Sequence, residues 1–336
     1  MEANDTTTNS TSNSTTSYAD VYDELFLIVI ISVYVIIIVT AIGGNLLVCL
    51  AISLNKRLQK ATNYFIFSLA ISDLLTASCS MPFDVQVLLK PNGWKHGEFV
   101  CNFWTFVYLI VAPTSLLNLT AVSIARYQAI SAPLRYYDKM RPRRAIVIIA
   151  TIWLYSLTFA VVGMAAWPYY DHSVNAGMCF FNISPYYSVL SSAMNFILPT
   201  VVMCVVYFKI YQIASAHAHR IVRQEVSTTA VASCSNEDSG NITSEKKRLK
   251  RNIQAAKTIA IIVSAFFLCW IPFTLVSTIT SLCQDCISVS DELFNSLLVV
   301  AYMNSALKPI LYSFLNRDFR DAFKKLLKFQ FKFRYT

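Results

Sequence analysis

Seven runs of apolar residues divide the chain, at roughly 25 to 53, 63 to 89, 99 to 125, 145 to 167, 185 to 212, 254 to 281 and 293 to 314. At about 1.5 Å of helical rise per residue, each run is long enough to cross about 30 Å of hydrocarbon. None shows the alternating pattern of barrel strands, which run to about ten residues. The pattern predicts an all-α membrane protein, a seven-transmembrane helix bundle. Residues 1–24 are rich in Asn, Ser and Thr and read as a disordered tail. Residues 25–314 form the seven-transmembrane unit and 315–336 a terminal helix and tail. Between Arg317 and Phe331, Phe, Leu and Lys recur in the manner of a short amphipathic helix lying at the inner leaflet. The longest segment between runs, 213–249, is polar in the middle and basic at its end, and reads as a flexible linker with a helix-extending basic stem at Lys246 to Arg251.

Composition narrows the class. A chain of 336 residues that is 55% hydrophobic and only 14% charged has more apolar surface than a water-soluble fold can hide. The mean hydropathy of +0.49 agrees. Seven Gly and ten Pro leave little material for a Gly-rich phosphate loop or a turn-dense β-sandwich.

Charge then orients the bundle. Nearly all of the 28 Lys and Arg fall in four clusters, Lys56 to Lys60, Arg126 to Arg144, Lys209 to Lys257 and Arg317 to Arg334. The intervening loops carry Glu98, Asp171, Asp285, Asp291 and Glu292, and only Lys90 and Lys95 among the basic residues. The positive-inside rule makes the basic loops and the C-terminus cytoplasmic and the N-terminus extracellular, as in a multi-pass plasma-membrane protein. The net charge of +9 therefore reflects topology and anionic lipid, and nucleic acid is not an expected partner. In the external tail Asn4, Asn9 and Asn13 fit the glycosylation sequon.

Topology also sorts the nine cysteines. Cys101 and Cys179 are both external, where a disulfide between them would pin a loop over the bundle. Cys283 and Cys286 form a second external pair, close enough to close a local ring; a zinc reading lacks two further ligands in that loop. No metal or cofactor is expected.

Polar groups within the apolar runs are costly and point to function. Asn45, Asp73, Arg126 and Lys308 stand out. Around them lie Gly44-Asn45-Leu46-Leu47-Val48, Leu69 to Leu75, Ala125-Arg126-Tyr127, Trp153, Phe196 to Pro199 with Tyr207, Phe266 to Pro272, and Pro309-Ile310-Leu311-Tyr312. Together these segments resemble the motifs of rhodopsin-like G-protein-coupled receptors, in order and in every span. Phe267 to Phe273, Ser191 with Ser192, and Tyr302 ahead of Pro309 are most similar to biogenic amine receptors. The resemblance implies an extracellular small-molecule ligand, cationic and biogenic amine-like, and a heterotrimeric G protein inside. It assigns Tyr108, Ser191, Ser192, Asn195, Trp270, Phe273 and Tyr302 to the ligand pocket. It assigns Asp73, Arg126, Tyr127, Tyr207, Phe266, Lys308 and Tyr312 to the switch and its G-protein-coupling end.

Three departures from the family pattern matter. Amine receptors carry an Asp in span three, seven residues after the position of Cys101; here that residue is Tyr108. Asp84, about three turns beyond Asp73, is the best replacement carboxylate and is expected to receive a cationic group together with Tyr108 and Tyr302. The residue before the last span's Pro is usually Asn or Asp and is here Lys308, so an Asp73–Lys308 ion pair is expected where the family resembles a sodium-binding cluster with Ser115, Asn304 and Ser305. Ala125 replaces the acidic residue that usually precedes the span-three Arg.

Other readings fit less well. A peptide receptor and a ligand-independent, constitutively active receptor are the alternatives within the family. A retinal-binding photoreceptor would need its lysine where Tyr302 stands. A transporter or channel would also bury charges, but no inverted repeat, paired broken helices or filter-like segment is present. An enzyme is not expected, since all four His lie outside the apolar runs.

Overall fold

The computed structural model describes residues 18–89, 93–132, 140–166, 168, 171–230, 239–283 and 288–333. The sequon residues Asn4, Asn9 and Asn13, and Cys286, lie outside the described residues. Seven helices are long and apolar enough to cross a membrane: Glu24–Leu54, Ala61–Leu89, Gly97–Ser131, Pro142–Ala166, Pro185–Ala216, Ala256–Leu282 and Asp291–Leu315, called here spans one to seven. An eighth helix, Arg317–Phe333, follows span seven.

Burial shows how the spans are arranged. In span three 67% of the most apolar window is buried, against 17% in span four, so span three is the central post and span four sits at the rim. Span three packs on spans two, four, five and six, and the ring closes through the contacts of span one with spans two and seven. Close approach is built in at two glycines. A Cβ on Gly44 would lie 2.7 Å from the Pro309 ring, so spans one and seven meet there nearly backbone to ring. A Cβ on Gly163 would clash with the Tyr187 ring and hydroxyl, and that hydroxyl donates to the Phe159 carbonyl at 2.6 Å and fastens span five to span four.

Two helices contain a widened π turn, Thr76–Ser80 in span two and Ala193–Ile197 in span five. Each lies just before a proline, Pro82 or Pro199. A proline ring clashes with the carbonyl four residues earlier; those carbonyls belong to Ser78 and Asn195, within the two π turns. The widened turn relieves the clash without breaking the span, and the inserted residue rotates everything beyond it by about 100°.

Two extents differ from the sequence expectation. The first helix begins at Tyr18, inside the stretch expected to be tail. The helix of span five continues to Ala230 and that of span six starts at Ser239, so much of 213–249 is helical. The reason is local: residues 211–230 contain no Gly or Pro and include four Ala, two Arg and two Gln, which propagate a helix already nucleated in the span.

At the Cys101 end, a two-stranded antiparallel hairpin pairs Val174 with Cys179 and Asn175 with Met178. Its turn residues Ala176 (φ 49°) and Gly177 (φ 77°) are both left-handed, the geometry favoured by the twist of two-residue hairpins. The Cys101–Cys179 disulfide ties the hairpin to span three. The Ser173 backbone N–H donates to Glu98 at 2.9 Å, and that of Trp94 donates to the Gly177 carbonyl at 2.9 Å. Cys283 is disulfide-bonded as well.

Candidate ligand site and switch core

Beneath the hairpin the spans enclose a cavity of ≈ 480 Å³, within the range that holds a small organic ligand. Phe181, just after the hairpin, forms its upper edge: the ring meets Trp104 edge-on at 4.9 Å and Tyr108 at 5.4 Å. Trp270 and Phe273 close the lower side with ring centroids 6.2 Å apart, and the aromatic stack continues to Phe294 at 5.2 Å and to Phe266 at 6.0 Å. Tyr108, Ser191, Ser192, Asn195, Trp270, Phe273, Tyr302 and Asp84 all line this one cavity.

Among the described residues that line it, Asp84 supplies the only charge. It is 7% exposed, and its Oδ2 accepts the Tyr302 hydroxyl proton at 2.9 Å. The Tyr302 oxygen lies 3.2 Å from the Ser80 hydroxyl, beside the π turn of span two. Tyr34 of span one stands edge-on to Tyr302 at 6.1 Å. The carboxylate is thus held by the phenol, which Ser80 in turn braces, and no basic side chain pairs with it among the described residues.

The opposite wall is neutral and polar. The Asn195 amide is committed on both sides, its Oδ1 accepting from the Tyr155 hydroxyl at 2.9 Å and its Nδ2 donating to Ser191 Oγ at 3.3 Å. Ser192 Oγ bridges to Thr278 Oγ1 of span six at 3.2 Å. Thr274, Ser277, Thr278, Thr280 and Ser281 extend this wall along span six. Sequence reasoning did not single them out, although hydroxyls at 274, 277, 278 and 281 in a span of mean hydropathy 2.5 carry a helical period.

Below the cavity lies a second buried polar cluster. Lys308 Nζ donates to Asp73 Oδ1 at 2.8 Å, with both side chains at most 2% exposed. Ser305 Oγ donates to the same oxygen at 2.9 Å. Asn45 donates to the carbonyls of Ala41 at 2.9 Å and Ser305 at 3.0 Å, joining span one to span seven. Ser115 bonds Ser72 at 2.8 Å, one position before the carboxylate that the family pattern suggests as its neighbour. Trp153 donates to Ser68 at 2.9 Å and fixes span four to span two.

Toward the other end, Tyr207 and Ser123 share a hydrogen bond of 3.1 Å, three residues before Arg126. Tyr127 carries Lys209 over its ring at 5.9 Å. Ala125 is 1% exposed and offers Arg126 no carboxylate. Tyr312 stacks on Phe319 at 5.4 Å and couples span seven to the terminal helix.

A family model described as "7 transmembrane receptor (rhodopsin family)" matches residues 44–312. The chain is 34% identical over 313 residues to the octopamine receptor beta-1R of Drosophila melanogaster, covering 89% of this chain and 61% of that receptor. It is 34% identical over 311 residues to the octopamine receptor beta-2R of Chilo suppressalis, covering 88% and 78%. To the histamine H2 receptor of Cavia porcellus it is 32% identical over 308 residues, covering 90% and 80%. It thus spans about three fifths of the Drosophila receptor's length. The match takes in the helices that build both the cavity and the ion-paired core, and the chain belongs to the rhodopsin family of seven-transmembrane receptors.

Proposed function

We propose that this chain is a plasma-membrane receptor with its N-terminus outside, which binds a small, singly cationic, amine-like ligand in the cavity and signals to a heterotrimeric G protein at the Arg126 end. One observation carries the reading: Asp84 is a buried carboxylate that faces a cavity and has no cationic partner among the described residues. A carboxylate removed from water without a counter-charge is strongly disfavoured, and a ligand ammonium supplies that charge. Tyr108 and Tyr302 add aromatic faces that attract a cation by about 0.5–2 kcal/mol. Among the described residues, no Lys, Arg or His lines the cavity. A ligand that also carried a carboxylate would therefore bury it unpaired, so the ligand class is a monocation.

The relatives' names support the same class, octopamine and histamine both being small amines. Because Asp84 bonds Tyr302, an occupant of the site acts on span seven three residues from Ser305 and six from Lys308. Trp270, also in the cavity wall, stacks on Phe266 of the lower core. Ligand contacts and the inner half of the bundle are thereby mechanically joined through spans six and seven.

The test is a comparison of wild type with Asp84→Asn in transfected cells, reading cAMP and calcium against a panel of biogenic amines and small peptides. Amines are expected to activate the wild type. Removing one partner of a buried charge pair costs about 3 kcal/mol, so their potency in the variant falls roughly 100-fold. Activation by peptides alone, or unchanged amine potency in Asp84→Asn, contradicts the proposal.

A further inference from the structure

We infer that the Lys308 ammonium fills a pocket suited to a small metal cation, so that the receptor carries its own counter-ion where a dissolved sodium ion would otherwise sit. Wild-type stability is then independent of sodium, and replacing Lys308 by a neutral, oxygen-bearing side chain opens the pocket to that ion. The lower core alone is involved, and nothing depends on which ligand the upper cavity takes.

The family resemblance implies sodium among the oxygens of Asp73, Ser115, Asn304 and Ser305, and the geometry here does not fit it. Lys308 Nζ lies 2.8 Å from Asp73 Oδ1, with side chains 1% and 2% exposed. Ser305 Oγ donates to the same oxygen at 2.9 Å, so that oxygen already meets two donors. Ser115 Oγ is paired with Ser72 Oγ at 2.8 Å and not turned to the carboxylate. Asp73 and Asp84 are the buried acidic residues among those described, and Asp84 belongs to the cavity above. One ammonium therefore neutralises the one carboxylate of the lower core. A metal ion added there would set a second positive charge beside the first, and like charges repel strongly in a low-dielectric interior. Because the ammonium is tethered it cannot dissociate, and a buried pair is little screened by salt.

The pocket left by removing the ammonium would be lined by oxygen. Asp73 Oδ2 is buried and has no hydrogen-bond partner among the described residues. The Ser305 hydroxyl donates to Oδ1 and keeps lone pairs, and the Ser72–Ser115 hydroxyl pair stands one residue away along span two. Hard cations are held by such oxygens. Lys308→Asn adds an amide oxygen and strips Asp73 of its counter-charge, a state that a buried carboxylate does not tolerate. Sodium then has both the charge to meet and the ligands to meet it with.

The experiment uses the purified, ligand-free, full-length receptor and follows its melting temperature as sodium chloride replaces N-methyl-D-glucamine chloride at constant ionic strength. The organic cation is too large for the pocket, so screening is matched and only occupancy changes. Wild type is expected to shift by less than about 1 °C. Lys308→Asn is expected to rise by roughly 3 °C or more in sodium, the gain at about ten times the dissociation constant. Asp73→Asn/Lys308→Asn, which has no carboxylate, is expected not to respond. A sodium-dependent shift in wild type overturns the inference. So does a Lys308→Asn variant equally stable in both salts, since Asp73 has then taken a proton in place of a metal ion. A sodium response that persists in the double variant puts the ion elsewhere and overturns it as well. Should Lys308→Asn be recovered only in sodium, the same dependence is established. Recovery of neither it nor Lys308→Ser in sodium contradicts the inference, because the ion is expected to restore the fold.

Discussion

Span two carries two buried carboxylates eleven residues apart, and their surroundings differ in one respect. Asp73 meets an internal ammonium, Lys308 at 2.8 Å, and the hydroxyl of Ser305 at 2.9 Å. Asp84 meets only the Tyr302 phenol at 2.9 Å and a cavity. The same side chain therefore serves two purposes according to what faces it. Compensated from within, a carboxylate locks two helices together; left uncompensated beside a cavity, it becomes a place for a cation from outside. The π turn Thr76–Ser80 lies between the two and resets the helical register from one environment to the other.

Breaking the lower pair should have the largest effect. Lys308→Met leaves Asp73 buried without its counter-charge, which costs about 3–5 kcal/mol. Surface expression and the melting temperature of the purified receptor should both fall sharply. The double variant Asp73→Asn/Lys308→Met removes both charges and should recover most of that loss. A single variant as stable as wild type would show that the ion pair does not hold spans two and seven together.

At the upper site the largest change should be in affinity: for any activating amine, Asp84→Asn should show the roughly 100-fold loss already given. Tyr302→Phe is a milder probe, because it keeps the aromatic face and removes only the phenolic bond to the carboxylate. A hydrogen bond to a charged group contributes about 1.5 kcal/mol, so amine affinity should change by roughly tenfold, read by radioligand displacement. The direction reports the mechanism: weaker binding if the phenol positions Asp84, tighter binding if it competes with the ligand.

The smallest expected effect has the opposite sign to the first. Without ligand, Asp84→Asn replaces an uncompensated buried carboxylate by a neutral amide whose oxygen still accepts from Tyr302. It should leave stability unchanged or raise it by about 1 kcal/mol. Thermal melting of the ligand-free protein measures this. A drop comparable to that of Lys308→Met would mean that Asp84 is internally compensated after all, and the contrast between the two carboxylates would be lost.

The sequence carries the bundle plainly because membrane spans announce themselves by length: the expected 63 to 89 and 293 to 314 become Ala61–Leu89 and Asp291–Leu315. The Asp73–Lys308 pairing is also legible, since two opposite charges within apolar runs have few other ways to be satisfied. The π turns are not legible from periodicity, because an inserted residue leaves no mark on composition. Pro82 and Pro199 were the available signals, through the carbonyls they displace. Residues 213–230 read as linker by their polarity, yet an existing helix extends cheaply through a stretch without Gly or Pro. The hydroxyl face of span six was visible as a period of three and four. It acquires meaning only when the fold sets it across a cavity from Asp84.

The claim that Asp84 is a cation site is tested most directly by changing the charge of the ligand and not its shape. Binding of 2-phenylethylamine, cationic at neutral pH, should be compared with that of 2-phenylethanol, its uncharged analogue, on purified wild type and Asp84→Asn. Wild type should prefer the cation by roughly 100-fold and the variant by less than threefold. An equal preference for the cation in both proteins would contradict the account.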